Sequence, residues 1–125
     1  MVALARIGAS LVALFGLALG LWFFFVTEQA ATAFFVMPQG AAGLATLRAD
    51  MSSFFLVGAS FALHAALTAR GAGLLVPGAL YAVAITGRAV DLAAVGSYEG
   101  AAVPMIVEAL LILLCWFGYR TLRRA

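Results

Sequence analysis

The sequence predicts an all-α membrane fold, an antiparallel bundle of four transmembrane helices with both termini on the cytoplasmic side, and three observations lead there. First, 66% of the 125 residues are hydrophobic and 10% are charged, with a mean hydropathy of +1.16, whereas soluble domains carry about a quarter charged residues. Second, the apolar residues gather into four runs, 7–26, 51–69, 73–95 and 103–119. Each has roughly 17 to 23 residues, which at about 1.5 Å per residue crosses a hydrocarbon core of about 30 Å. Third, arginines collect at one set of run ends. Helices are the required element, because an open strand leaves backbone groups unpaired in lipid. The whole chain, 1–125, is read as one transmembrane domain.

The first run follows Arg6 and ends near Trp22. Its apolar stretch of about 20 residues exceeds the roughly 7 to 15 of a signal-peptide core, so a retained first helix is expected although Ala31-Thr32-Ala33 resembles a cleavage site. The segment 27–50 is the outer loop. It holds the apolar patch Ala33-Phe34-Phe35-Val36-Met37-Pro38, a break at Gln39-Gly40-Ala41-Ala42-Gly43, and at 44–48 the start of a helix leading into the second run. A long structureless loop is uncommon in a compact domain, so part of it is expected to lie on the membrane surface or over the bundle as a short helix. Arg70-Gly71-Ala72-Gly73 forms a tight turn before the third run. Gly96-Ser97-Tyr98-Glu99-Gly100 separates the third from the fourth, where Pro104 suits a first helical turn. Both links are short, so the helices they join run antiparallel.

All seven basic residues are arginine. With four spans, Arg6, Arg70, Arg120, Arg123 and Arg124 share one side and Arg48 lies opposite, which by the positive-inside rule places the termini in the cytoplasm of a cell whose inner (plasma) membrane the chain crosses. Trp22, Tyr98, Trp116 and Tyr119 fall near span ends, as interfacial anchors do. The net charge of +2 is too small for a nucleic-acid footprint. A single cysteine, Cys115, excludes an intrachain disulfide and reads as a buried small hydrophobe.

Inside the runs stand His64, Arg88, Asp91 and Glu108. A charge at mid-helix costs about 2.5 to 3.5 kcal/mol even on the lenient insertion scale, so such groups turn inward and find partners. Helix rise puts Asp91 and Glu108 roughly 8 to 9 Å below the outer run ends. Arg88 is one turn deeper, at an i,i+3 spacing from Asp91. The expected arrangement is a polar cluster in the outer half of the bundle, with Arg88 at its centre and Asp91, Glu108, Asp50 and Arg48 as candidate members. Three roles fit such a cluster: an ion pair that fixes packing, a site for a ligand's polar head, and a proton path. His64 shares a helix face with Asp50, 14 residues earlier. A hydrogen bond from His64 to Tyr81 on the third helix is the secondary expectation. One histidine without a second soft ligand gives no metal site, and no cofactor is implied.

Gly16 and Gly20 form a GxxxG, with Gly8, Ala13, Gly58, Ala62 and Ala66 as further small positions, read as internal packing first and as a homodimer face second. Nucleotide-binding, hydrolase and zinc-protease motifs are missing from the sequence. Three stretches, Leu47-Arg48-Ala49-Asp50, Gly87-Arg88 and Val107-Glu108-Ala109-Leu110, stand in an order and spacing that resembles the DUF4345 family of small bacterial four-helix membrane proteins. The resemblance implies that Arg48, Arg88 and Glu108 are the polar positions and supplies no reaction. The expected function is an accessory or lipophilic-ligand-binding protein, with the bilayer and a lipid or hydrophobic small molecule as partners. The alternatives are a small enzyme doing acid/base chemistry on a lipid-like substrate, which requires a second carboxyl and a cavity reaching Arg88, and a structural subunit of a membrane complex.

Overall fold

A computed structural model describes residues 1–122; Arg123 and Arg124, two of the arginines used for orientation, lie outside the described residues. The described residues form five α-helices, α1 (Val2–Phe25), α2 (Thr27–Ala33), α3 (Gly40–Thr68), α4 (Leu75–Val95) and α5 (Ala102–Leu122), with a 3-10 turn, Gly71–Leu74, leading into α4. No strand occurs among the described residues. α1, α3, α4 with its preceding turn, and α5 are each long and apolar enough to cross a membrane. The four expected spans therefore stand.

The bundle has two ends. At the basal end Arg6 Nε donates to the carbonyl of Ala66, 2.7 Å away, and the Gly71 turn lies against the backbone of Gly118 and Tyr119. The start of α1, the α3–α4 link and the end of α5 thus meet there, bringing Arg6, Arg70 and Arg120 to one end. At the distal end Arg48 reaches Thr27 and the Phe35 ring rests on Gly100. The short links make this antiparallel order the only one available.

Close approach of backbones holds α1 to α3. A Cβ on Gly16 would lie 2.9 Å from the Phe55 carbonyl oxygen, and one on Gly20 would lie 2.6 Å from Leu56. The GxxxG is internal packing, spent on α3 and buried, so it is not a face for a second chain. Lipid gives helices no hydrophobic reason to associate, and dispersion between small-residue surfaces supplies the attraction instead. Above this seam sits a cluster of Phe23, Phe34 and Phe55, with Phe23 and Phe34 edge-on at 5.0 Å. Cys115 is buried in the shared core, as a small hydrophobe.

The segment 27–50 is more regular than a loop. Thr27, Ala30 and Ala31 of α2 are buried, so α2 is a short helix folded over the bundle. Only 34–39 remain non-helical, with Phe35 in the left-handed region at φ 58° and with Phe35 and Met37 exposed. α3 begins at Gly40, four residues before the expected helix start at 44 and eleven before the apolar run at 51. Its 29 residues extend over about 43 Å, more than the hydrocarbon core, so the first turns project or the helix tilts. At its other end the left-handed residue is Ala69, at φ 54°. Gly71 is needed for proximity instead, since a Cβ there would lie 2.9 Å from the Tyr119 carbonyl oxygen.

A candidate head-group site on α4 and α5

The site follows from the buried stripes of two helices. On α4, Pro77 and Tyr81 are buried, and Ile85, Arg88 and Leu92 continue the same stripe half-buried. On α5 the stripe is Glu108, Leu111, Cys115, Gly118 and Leu122. Both follow the three- and four-residue spacing of one helical face. Arg88 and Glu108 are therefore the charged members of stripes that are otherwise uncharged, and both lie in the distal half. Pro77 and Pro104 each sit third in their helix, where the missing N–H breaks no bond.

Arg88 Nε donates to Glu108 Oε1 at 3.0 Å, with the arginine side chain 33% exposed and the glutamate side chain 11% exposed. The other carboxylate oxygen, Oε2, is buried and makes no hydrogen bond among the described residues. The remaining guanidinium N–H groups likewise make no hydrogen bond to described residues. Glu108 thus grips the arginine from the bundle side by one nitrogen. The outer edge of a guanidinium, two parallel N–H groups in a fork that fits a phosphate or carboxylate, is left available. Arg88 is paired but not sealed.

Asp91 lies one turn nearer the distal end, exposed and without an ion pair among the described residues. The expected gathering of carboxylates around Arg88 reduces to Glu108. Asp50 is exposed and has no ion pair among the described residues, and Arg48 turns elsewhere. Its Nε donates to Thr27 Oγ1 at 3.1 Å, and Thr27 Oγ1 in turn donates to the Phe23 carbonyl at 2.7 Å. Arg48 therefore ties α2 to α3. The buried Thr27 was not among the expected site residues; the signal for it was a hydroxyl 21 residues before an arginine, too weak to read alone. Ser52, also missed, is buried with an unpaired Oγ.

The hydrogen bond expected between His64 and Tyr81 is absent among the described residues. His64 does share a face with Asp50, and both are exposed: that face is the outward one. The inward face of α3 runs through Ser52, Phe55, Gly58, Ala59, Ala62 and Ala66. Tyr81 instead packs edge-on against Phe15 and Phe54, with ring centroids 6.4 and 6.0 Å away, and lies within electrostatic reach of Glu108.

A shallow depression of about 270 Å³ opens at the distal end, lined by Leu92, Tyr98, Ala101 and Met105 among others. It lies a turn beyond Arg88 and Glu108 and includes neither. Compared with protein-family models, curated proteins and solved structures, the chain matches none, and its reading rests on this geometry.

Proposed function

We propose that this chain is a small multi-pass protein of a bacterial inner membrane, with both termini cytoplasmic, that binds an amphipathic ligand by its polar head at Arg88. The observation that carries the reading is the one-sided grip on Arg88: Glu108 holds Nε, the other guanidinium N–H groups bond no described residue, and the arginine side chain is a third exposed. Leaving a buried polar atom unpaired costs about 1 to 3 kcal/mol, so an ion pair serving packing alone gains from using both carboxylate oxygens. Here one oxygen is unpaired among the described residues and the arginine side chain is a third exposed. On the same stripe of α4, Ile85 and Leu92 are apolar and half-buried, as contact with a lipid tail requires.

The enzyme reading asks for two carboxyls and a cavity around Arg88. Glu108 is the one carboxylate paired with it among the described residues, and the depression stops short of it. Binding without turnover suits this arrangement better. The distal arginine-poor end corresponds to the outer leaflet if Arg6, Arg70 and Arg120 of the basal end obey the positive-inside rule.

Native mass spectrometry of the gently purified protein tests the reading. The wild type is expected to carry a lipid-sized adduct that Arg88→Gln loses. A wild type free of adducts, beside an Arg88→Gln variant that folds normally, would overturn it.

A further inference from the structure

Asp91 has no role in the pairing just described, yet it lies one helical turn beyond Arg88, within the apolar helix α4. We infer that the ligand is a zwitterionic aminophospholipid of the distal leaflet, its phosphate on the outer N–H groups of Arg88 and its primary ammonium on Asp91. This rests on the head-group reading above and names the class of head.

Complementarity of sign is the first argument. Arg88 has N–H groups that no described residue accepts from, and Asp91 is a carboxylate with no cation paired to it among the described residues. A head carrying only negative charge would be drawn by the guanidinium and repelled by Asp91, and in the low dielectric near lipid both terms are large. A head with both signs satisfies the guanidinium and the carboxylate together.

Order along the helix is the second. Asp91 is three residues distal to Arg88, about 4.5 Å along the axis and on nearly the same face. In an aminophospholipid the phosphate adjoins the glycerol and the ammonium lies beyond it, further from the hydrocarbon. A lipid of the distal leaflet presents phosphate and ammonium in the order in which α4 presents arginine and aspartate. Its tails then run toward the basal end beside α4, whose residues between Tyr81 and Arg88 are exposed or half-buried.

The third is donor chemistry. A primary ammonium gives N–H groups to a carboxylate, and such charge-assisted bonds are about twice as strong as neutral ones. A quaternary ammonium has no N–H to give.

The test places the full-length protein in nanodiscs holding phosphatidylethanolamine, phosphatidylcholine and phosphatidylglycerol with identical acyl chains, and reads the retained lipid by native mass spectrometry. Phosphatidylethanolamine is expected to be retained over either of the others by about tenfold, the worth of one charge-assisted hydrogen bond. Asp91→Asn, at an exposed position that leaves folding intact, brings it down to the level of phosphatidylcholine. Asp91→Lys turns the preference toward phosphatidylglycerol. Equal retention of all three heads by the wild type, or an unchanged preference in Asp91→Asn, overturns the inference while leaving a head-group site standing. Retention of no lipid at all overturns both.

Discussion

Two glycines of α4 divide the molecule. A Cβ placed on Gly78 would lie 3.3 Å from the Cβ of Cys115, whereas one placed on Gly87 would meet nothing within 4 Å. Between them the helix passes from the packed basal half of the bundle to a distal half where the α4–α5 hairpin has little to lean on. In the basal half every helix approaches another through small residues, and the polar atoms there, such as the Arg6 guanidinium, serve backbone carbonyls. In the distal half the hairpin keeps an arginine and two carboxylates, Asp91 and Glu108, that insertion would penalise. The close backbone approaches gather where the side chains are small, and the Arg88–Glu108 pair stands beyond them.

The comparison is most easily broken at its packed end. Gly71→Val places side-chain carbon against the Tyr119 backbone, which has no rotamer to yield, and is expected to cost about 3 kcal/mol or more. A melting curve in detergent that matched the wild type would show that the basal half is not the anchor. Glu108→Ala comes next. It leaves Arg88 without its partner, at about 2 to 3 kcal/mol, below the range for a fully buried pair because the arginine is a third exposed.

Smaller effects sharpen the division. Thr27→Val removes the acceptor of Arg48 and the tie to Phe23. We expect a loss of about 1 kcal/mol, read as faster hydrogen exchange in α2 with α4 and α5 unchanged. Gly87→Ala is expected to stabilise by about 0.5 to 1 kcal/mol, since the added methyl meets open space and improves helix propensity. A loss of stability there would reveal that a second chain covers this face.

The four spans were legible because membrane insertion is a composition problem, solved one segment at a time. The Arg88 and Glu108 pair was legible for a similar reason: two opposite charges within a turn of each other in depth on neighbouring antiparallel helices have few other partners. What resisted reading was the direction in which each face turns. Asp50 and His64 do share a face, but the polar residues of α3 are spread around the helix, so their pattern does not say whether that face is inward. Small residues held the missing information, since the alanines at 59, 62, 65 and 66 mark the buried side and leave His64 outside. Thr27 and Ser52 were invisible because a lone hydroxyl acquires meaning only from its neighbours. α2 and the early start of α3 were blurred by the Ala- and Gly-rich stretch 40–45, whose composition suits a linker as well as a close-packed helix.

The central claim is that the distal charges are kept for a ligand and not for the fold. Arg88→Leu with Glu108→Leu tests it, because replacing a buried ion pair by apolar residues of similar volume is often neutral or stabilising. A native mass spectrum recorded over a heating ramp reads unfolding and bound lipid together. The account predicts a double variant that unfolds at or above the wild-type temperature and carries no retained lipid. A variant that keeps the wild-type lipid, or one that unfolds well below the wild type, would contradict it.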